Sequence, residues 1–166
     1  MRKILLPSVV ALLVVAGLAV GLRASEADSP APAAEALTRG TFTDDITVKI
    51  TVQQPGAETR VIDVPDPSDI AVTKITIPAG GSTGWHTHPG PVLATVHTGA
   101  LTIINAGDCL PRVYRAGQAF VDPGHGNVHV GRNHTDDETI VYATFLEVPP
   151  DGKATVSVDD PGTCDS

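Results

Sequence analysis

The residues with the clearest chemical potential are histidines. The chain holds six of them, and five fall in two short stretches. The first stretch reads WHTHPGPV, from Trp85 to Val92, and carries His86 and His88. The second reads PGHGNVHVGRNH, from Pro123 to His134, and carries His125, His129 and His134. On a β-strand, residues two apart face the same side, so His86 and His88 present both imidazoles to one face. Two imidazoles make a weak metal clamp. A third donor from another strand would complete a facial set with open positions for water or substrate. His129 is the natural third donor, because it sits in a predicted strand whose other face carries Val128 and Val130. Imidazole nitrogens suit Fe, Zn, Cu or Ni at roughly 2.0–2.2 Å, and the sequence leaves the metal among Fe, Zn, Cu, Ni and Mn. No acidic residue follows the first histidine pair, where Val92 stands.

The remaining histidines read differently. His97 falls on the opposite strand face from Val92, His125 lies in a glycine-rich turn, and His134 follows a turn at Asn133. All three are expected at the surface rather than in the clamp. Other chemistries lack their signatures: there is no GxSxG, P-loop, HExxH, or GxGxxG opening a helix. No serine stands in a nucleophile context, and no carboxylate pair is placed for glycoside hydrolysis.

The elements that must position these histidines are strands. Ile46, Val48, Ile50 and Val52 alternate with polar residues, the mark of a half-buried strand. Further strands are predicted over 61–64, 69–77, 92–98, 100–104, 113–115, 118–121, 128–132, 139–148 and 154–158. Gly, Pro, Asn and Asp clusters separate them, and no helical period occurs between 40 and 160. About ten short strands at this spacing predict an all-β sandwich or barrel. Trp85, just before the histidines, should point away from them and pack. Tyr142 and Phe145 are expected in the core, with one of them lining the pocket. Tyr114 and Arg115 read as rim residues, Gln118 as a polar pocket residue, and Asp136–Glu138 as a solvated turn.

Two stretches together resemble the cupin motifs. Gly80, His86-Thr87-His88 and Gly99 match the first motif, a glycine, His-x-His and a second glycine, in order and distance. Gly117, Pro123, Gly126, His129 and Asn133 match the second, with one extra residue between Pro123 and Gly126. The resemblance covers most of 40–148. It implies a jelly-roll β-barrel or sandwich with a metal inside its mouth, and kinship with single-domain exported bacterial cupins. The departure is Val92, which stands where cupins usually carry a metal-binding glutamate. The implied site is therefore three histidines without a carboxylate. Such a set leaves the charge of a divalent ion uncompensated and favours an anionic group as the next ligand. The resemblance also admits a homodimer paired through a strand edge.

The N-terminus reads as an export segment. Met1-Arg2-Lys3 is basic, and Ile4–Leu22 is almost wholly apolar. Residues 1–24 are thus a cleaved signal peptide or an uncleaved anchor, with residues 4–22 long enough to tether the chain to a membrane. Either puts the remainder outside the cytoplasm. Residues 25–36, Pro/Ala-rich and acidic, read as a flexible linker, and 37–166 as the cupin domain. The formal charge is −8, and without Arg2, Lys3 and Arg23 it falls to about −11, which disfavours nucleic acid as a partner. Cys109 and Cys164 are the only cysteines. In an oxidising compartment they would form a disulfide; the alternative is two unpaired thiols. Two functions remain open. One is a metalloenzyme, most specifically of the oxygenase type, acting on a small anionic organic molecule. The other is an extracytoplasmic module that binds a small molecule or a metal without catalysis.

Overall fold

The computed structural model describes residues 29–53 and 58–164; the apolar segment read as signal or anchor lies outside them. The strands are β1 (Ala33–Thr41), β2 (Val48–Val52), β3 (Arg60–Val64), β4 (Asp69–Ile77), β5 (His86–Thr87), β6 (Val92–Thr98), β7 (Ala100–Asn105), β8 (Pro111–Arg115), β9 (Ala119–Asp122), β10 (His129–Arg132), β11 (Thr139–Val148) and β12 (Val156–Ser157). Strands β4, β6 and β11 coincide with the bounds that the alternation predicts.

The strands make two antiparallel five-stranded sheets, in the orders β1-β4-β11-β6-β9 and β12-β5-β10-β7-β8, with β2-β3 as a separate hairpin. This is an all-β jelly roll. Of the two forms expected, barrel or sandwich, it is the sandwich, because among the described residues no hydrogen-bonded ladder joins one sheet to the other. The backbone passes between sheets at Gly- and Pro-rich corners such as Pro78–Gly81 and Pro123–Gly126, where pairing breaks. The core fills the space between the sheets. Ile77, Ala94, Val96 and Val141 of the first sheet pack on Leu101 and Ile103 of the second.

Three expectations are corrected. Ala33–Ala36 belong to β1 and not to a linker, paired with Thr73–Thr76 of β4. This edge strand is exposed along its whole length, so backbone pairing and not side-chain burial defines it, and no apolar period announces it. Tyr142 faces outward and is exposed, because Val141, Ala143 and Phe145 take the inward positions of β11. Gln118 is also exposed, its Oε1 accepting the Arg115 backbone N–H at 2.7 Å to close the β8–β9 turn.

Cys109 and Cys164 form a disulfide. Cys164 packs beside Trp85, Ile104 and Val130, so the bridge anchors the C-terminal segment to the second sheet. A crosslink spanning 55 residues contributes about 4 kcal/mol in the chain-entropy account. Reduction is therefore expected to lower the melting temperature by roughly 10 °C or more, read by thermal scans with and without reductant. An unchanged melting temperature would show that the tail is held by packing alone.

Candidate metal centre

Two histidines of the candidate site lie in the second sheet, and the third follows directly after one of its strands. His86 lies in β5 and His129 opens β10, and the two are direct register partners across that ladder. His88 follows two residues after His86, on the same face. All three are buried, with 8, 6 and 3% exposure for His86, His88 and His129. Ring centroids stand 4.9 Å apart for His86–His88, 4.2 Å for His86–His129 and 5.2 Å for His88–His129. One ligand nitrogen from each ring lies within 4.8 Å of the others, close enough to hold a metal ion.

Hydrogen bonds set the direction of each ring. His86 Nδ1 donates to the Gly84 carbonyl at 2.9 Å, and His88 Nδ1 to the Ala154 carbonyl at 2.8 Å. His129 Nδ1 faces the Asn127 carbonyl and Asp122 Oδ2, each at 3.3 Å. Every Nδ1 meets an acceptor, so each neutral ring carries its proton there and keeps the Nε2 lone pair for a ligand. Burial disfavours the imidazolium form. His86 is pushed down to about 3, first by burial and then by the charge of His129. His129 falls to about 4, first by burial and then by the charge of His88, and His88 is lowered mainly by burial. At neutral pH the three rings are uncharged, the form that binds metal.

The three histidines border a pocket of about 210 Å³ between the sheets. Its walls are mostly apolar, with Ile75, Val92, Leu101, Phe120, Val141 and Phe145 among them, and none of the described residues lining it is a lysine or arginine. Phe145, expected in the core or pocket, does both, standing 5.3 Å from the His88 ring. Trp85 points away from the site and packs on Ile104 and Val130, as its position in the strand implies. His97, His125 and His134 are exposed and stay outside the cluster. His97 contacts Tyr142 edge-on, and His125 pairs with Glu147.

Two participants were not legible in the sequence. One is the C-terminal segment, whose Ala154 carbonyl orients His88 from 66 residues away. The other is Asp122, at the end of β9, which reads locally as part of an Asp-Pro-Gly turn. It is buried, lines the pocket, and pairs in register with Val92, the residue at the missing-glutamate position. Asp122 Oδ1 accepts the Gly124 N–H at 2.8 Å and Oδ2 the Asn127 side-chain amide at 2.7 Å. Burial pushes its carboxyl pKa up, against the opposing pull of these donors and of the nearby histidines. The mutually close ligand atoms are those of the three histidines alone, and Asp122 stands beside them from the opposite sheet. Gly124 makes this turn possible, with φ +61° and a Cβ position only 1.9 Å from the Gly90 carbonyl oxygen.

Residues 73–145 match the family model described as Cupin domain. The cupin assignment holds for that stretch. Among solved structures, it resembles a cupin domain from Bordetella pertussis Tohama I, with 19% identity, coverage of 64% of this chain and 99% of that one, and a TM-score of 0.43. It also resembles an uncharacterized conserved protein with a double-stranded β-helix domain from Klebsiella pneumoniae subsp. pneumoniae MGH 78578, with 18% identity, coverage of 55% and 76%, and a TM-score of 0.46. An oxalate oxidase aligns at 25% identity over 54% of this chain and 46% of its own, with a TM-score of 0.46. The chain thus spans less than half of that enzyme, and these likenesses do not choose a reaction for the cupin described here. No curated protein sequence matches the chain.

Proposed function

We propose that this cupin is an exported metalloprotein that holds one divalent ion on His86, His88 and His129 and takes a small, largely apolar molecule through one anionic donor group. The observation that carries this reading is the convergence of three buried imidazoles, each with Nδ1 engaged and Nε2 free, at the end of an apolar pocket. The neutral rings fit a divalent ion of the first transition row. Bound there, the ion would act as a Lewis acid and, if redox-active, support oxygen chemistry. The protein's own contribution is to fix the three donors, exclude water with aliphatic and aromatic walls, and give the apolar body of the ligand a surface to bury. With no cationic side chain in the walls, the ion is the natural partner for an anionic group.

The catalytic version is an oxygenase-type reaction, which does not demand a free general base. Binding without catalysis is the second reading. It is favoured by the state of Asp122, whose oxygens are both committed to hydrogen bonds although it is the sole carboxylate among the described residues lining the pocket. The deciding experiment begins with elemental analysis of the untagged protein beside a His86→Ala/His88→Ala variant. About one equivalent of metal, lost in the variant, supports the centre. Failure to retain or take up any metal would sink it. Oxygen uptake is then measured with a panel of small carboxylates and enols. Uptake identifies an oxygenase, whereas saturable binding with no oxygen consumed identifies the binding module.

A further inference from the structure

Val92 removes the carboxylate that the cupin motif would place among the metal donors, yet the residue in register across from it on the neighbouring strand is a buried aspartate. Asp122 sits at 5% exposure, deep in the molecule for a residue type seldom buried without partners. Its partners are specific. The Gly124 N–H and the Asn127 amide each hold one oxygen, and Oδ2 also faces His129 Nδ1 at 3.3 Å. Asn127 is itself held, donating to Asn105 Oδ1 at 3.1 Å and accepting from Arg60 at 3.4 Å. A chain of polar groups thus runs from Arg60 through Asn127 and Asp122 to His129.

We infer that Asp122 is the positioning residue of this centre: from the opposite sheet it holds His129 as the Nδ1–H tautomer, turns its Nε2 toward the other two imidazoles, and supplies the negative charge that Val92 cannot. His86 and His88 are oriented by neutral backbone carbonyls alone, so His129 is the one ring whose second nitrogen also faces a carboxylate. A carboxylate behind a ligating imidazole raises its basicity and fixes its orientation. Direct ligation by Asp122 is the weaker geometry, because both its oxygens already accept hydrogen bonds and the mutually close ligand atoms are those of the three histidines. This inference rests on the metal reading above, and its test separates the two.

The experiment uses the full chain, stripped of metal, as wild type, Asp122→Ala and Asn127→Ala. Two quantities are read: the Kd for Co(II) against a competing chelator, and the His129 tautomer from imidazole 15N shifts without metal at neutral pH. Asp122→Ala is expected to weaken Co(II) binding about 10–100-fold. It should also raise the share of the Nε2–H tautomer measurably, with the Asn127 carbonyl as the one acceptor left on Nδ1. Asn127→Ala, which loosens Asp122 without removing it, should move both in the same direction by less. If Asp122→Ala does not fold, Asn127→Ala decides. Co(II) affinities within twofold of wild type and an unchanged tautomer would overturn the inference. So would a lowered melting temperature with neither quantity moved, since that describes an aspartate that merely holds its turn. A wild type that binds no Co(II) would remove the metal reading, and the tautomer would still decide whether Asp122 orients His129.

Discussion

His129→Ala is expected to abolish metal retention, weakening binding by about a hundredfold or more. Structural zinc sites with four donors bind with about 10–16 kcal/mol, or roughly 3 kcal/mol per donor. Loss of one such donor is worth more than two orders of magnitude. The loss should be as severe as for any residue of the site, because His129 joins both halves of the arrangement. It pairs in register with His86 and faces the carboxylate of Asp122. The two imidazoles left behind make only the weak clamp that an isolated His-x-His provides. Elemental analysis after dialysis checks the expectation, beside His97→Ala and His134→Ala, whose exposed rings should leave metal content untouched. Trp85 is the single tryptophan and is packed in the core one residue before His86, so its fluorescence reports whether the variant is folded. A folded His129→Ala protein that kept one equivalent of metal would refute the assignment.

The second large effect is in pH. An unfolded histidine titrates near 6.5, whereas in the fold His86 titrates near 3 and His129 near 4, with His88 also lowered. Between those values the unfolded chain binds protons that the native protein refuses. The metal-free protein therefore holds its full stability above about pH 6.5 and loses it as the pH falls toward 4. Each histidine contributes up to about 1.4 kcal/mol per pH unit. The upward shift of Asp122 works in the opposite sense, since the native state takes up that proton before the unfolded chain does. His86 and His129 together account for up to two protons, or about 3 kcal/mol per pH unit, with His88 adding to that slope and Asp122 subtracting from it; this is large against a typical stability of about 5–15 kcal/mol. Denaturant titrations followed by Trp85 fluorescence at several pH values should give this slope, flattened in His86→Ala/His129→Ala. A metal-free wild type equally stable at pH 7 and pH 5 would contradict the buried, neutral histidines.

Both expectations depend on a pocket whose walls come from the two sheets but whose nitrogen donors come from one. The second sheet brings His86, His88 and His129 together through short strands. The first contributes Val92, Phe145 and the Asp122 turn. The C-terminal segment closes the arrangement, with the Ala154 carbonyl on His88 and the Cys109–Cys164 bridge further along the same tail. Arg39 of β1 ties this tail in as well, donating to the carbonyls of Pro149, Pro150 and Gly152 and pairing with Asp69 at 2.6 Å. Elements at both ends of the described chain thus support one histidine ring.

The sequence by itself determined the strands β4, β6 and β11, the shared face of His86 and His88, the choice of His129 as the histidine that joins them, and the outward places of His97, His125 and His134. These follow from period-two alternation and from the spacing of histidines, glycines and prolines, which are local properties. Tertiary structure alone decided the rest. β1 pairs through its backbone with no buried face, so nothing in its side chains marks it. The open sandwich depends on where ladders stop, and Tyr142 turned out because its neighbours took the inward positions of β11. Asp122 entered the site through its register with Val92, 30 residues away, and Ala154 through a contact across 66 residues. Register between distant strands is set by the packing of the whole core. A carboxylate that reads locally as a turn residue therefore comes to stand beside the histidine cluster only once both sheets are in place.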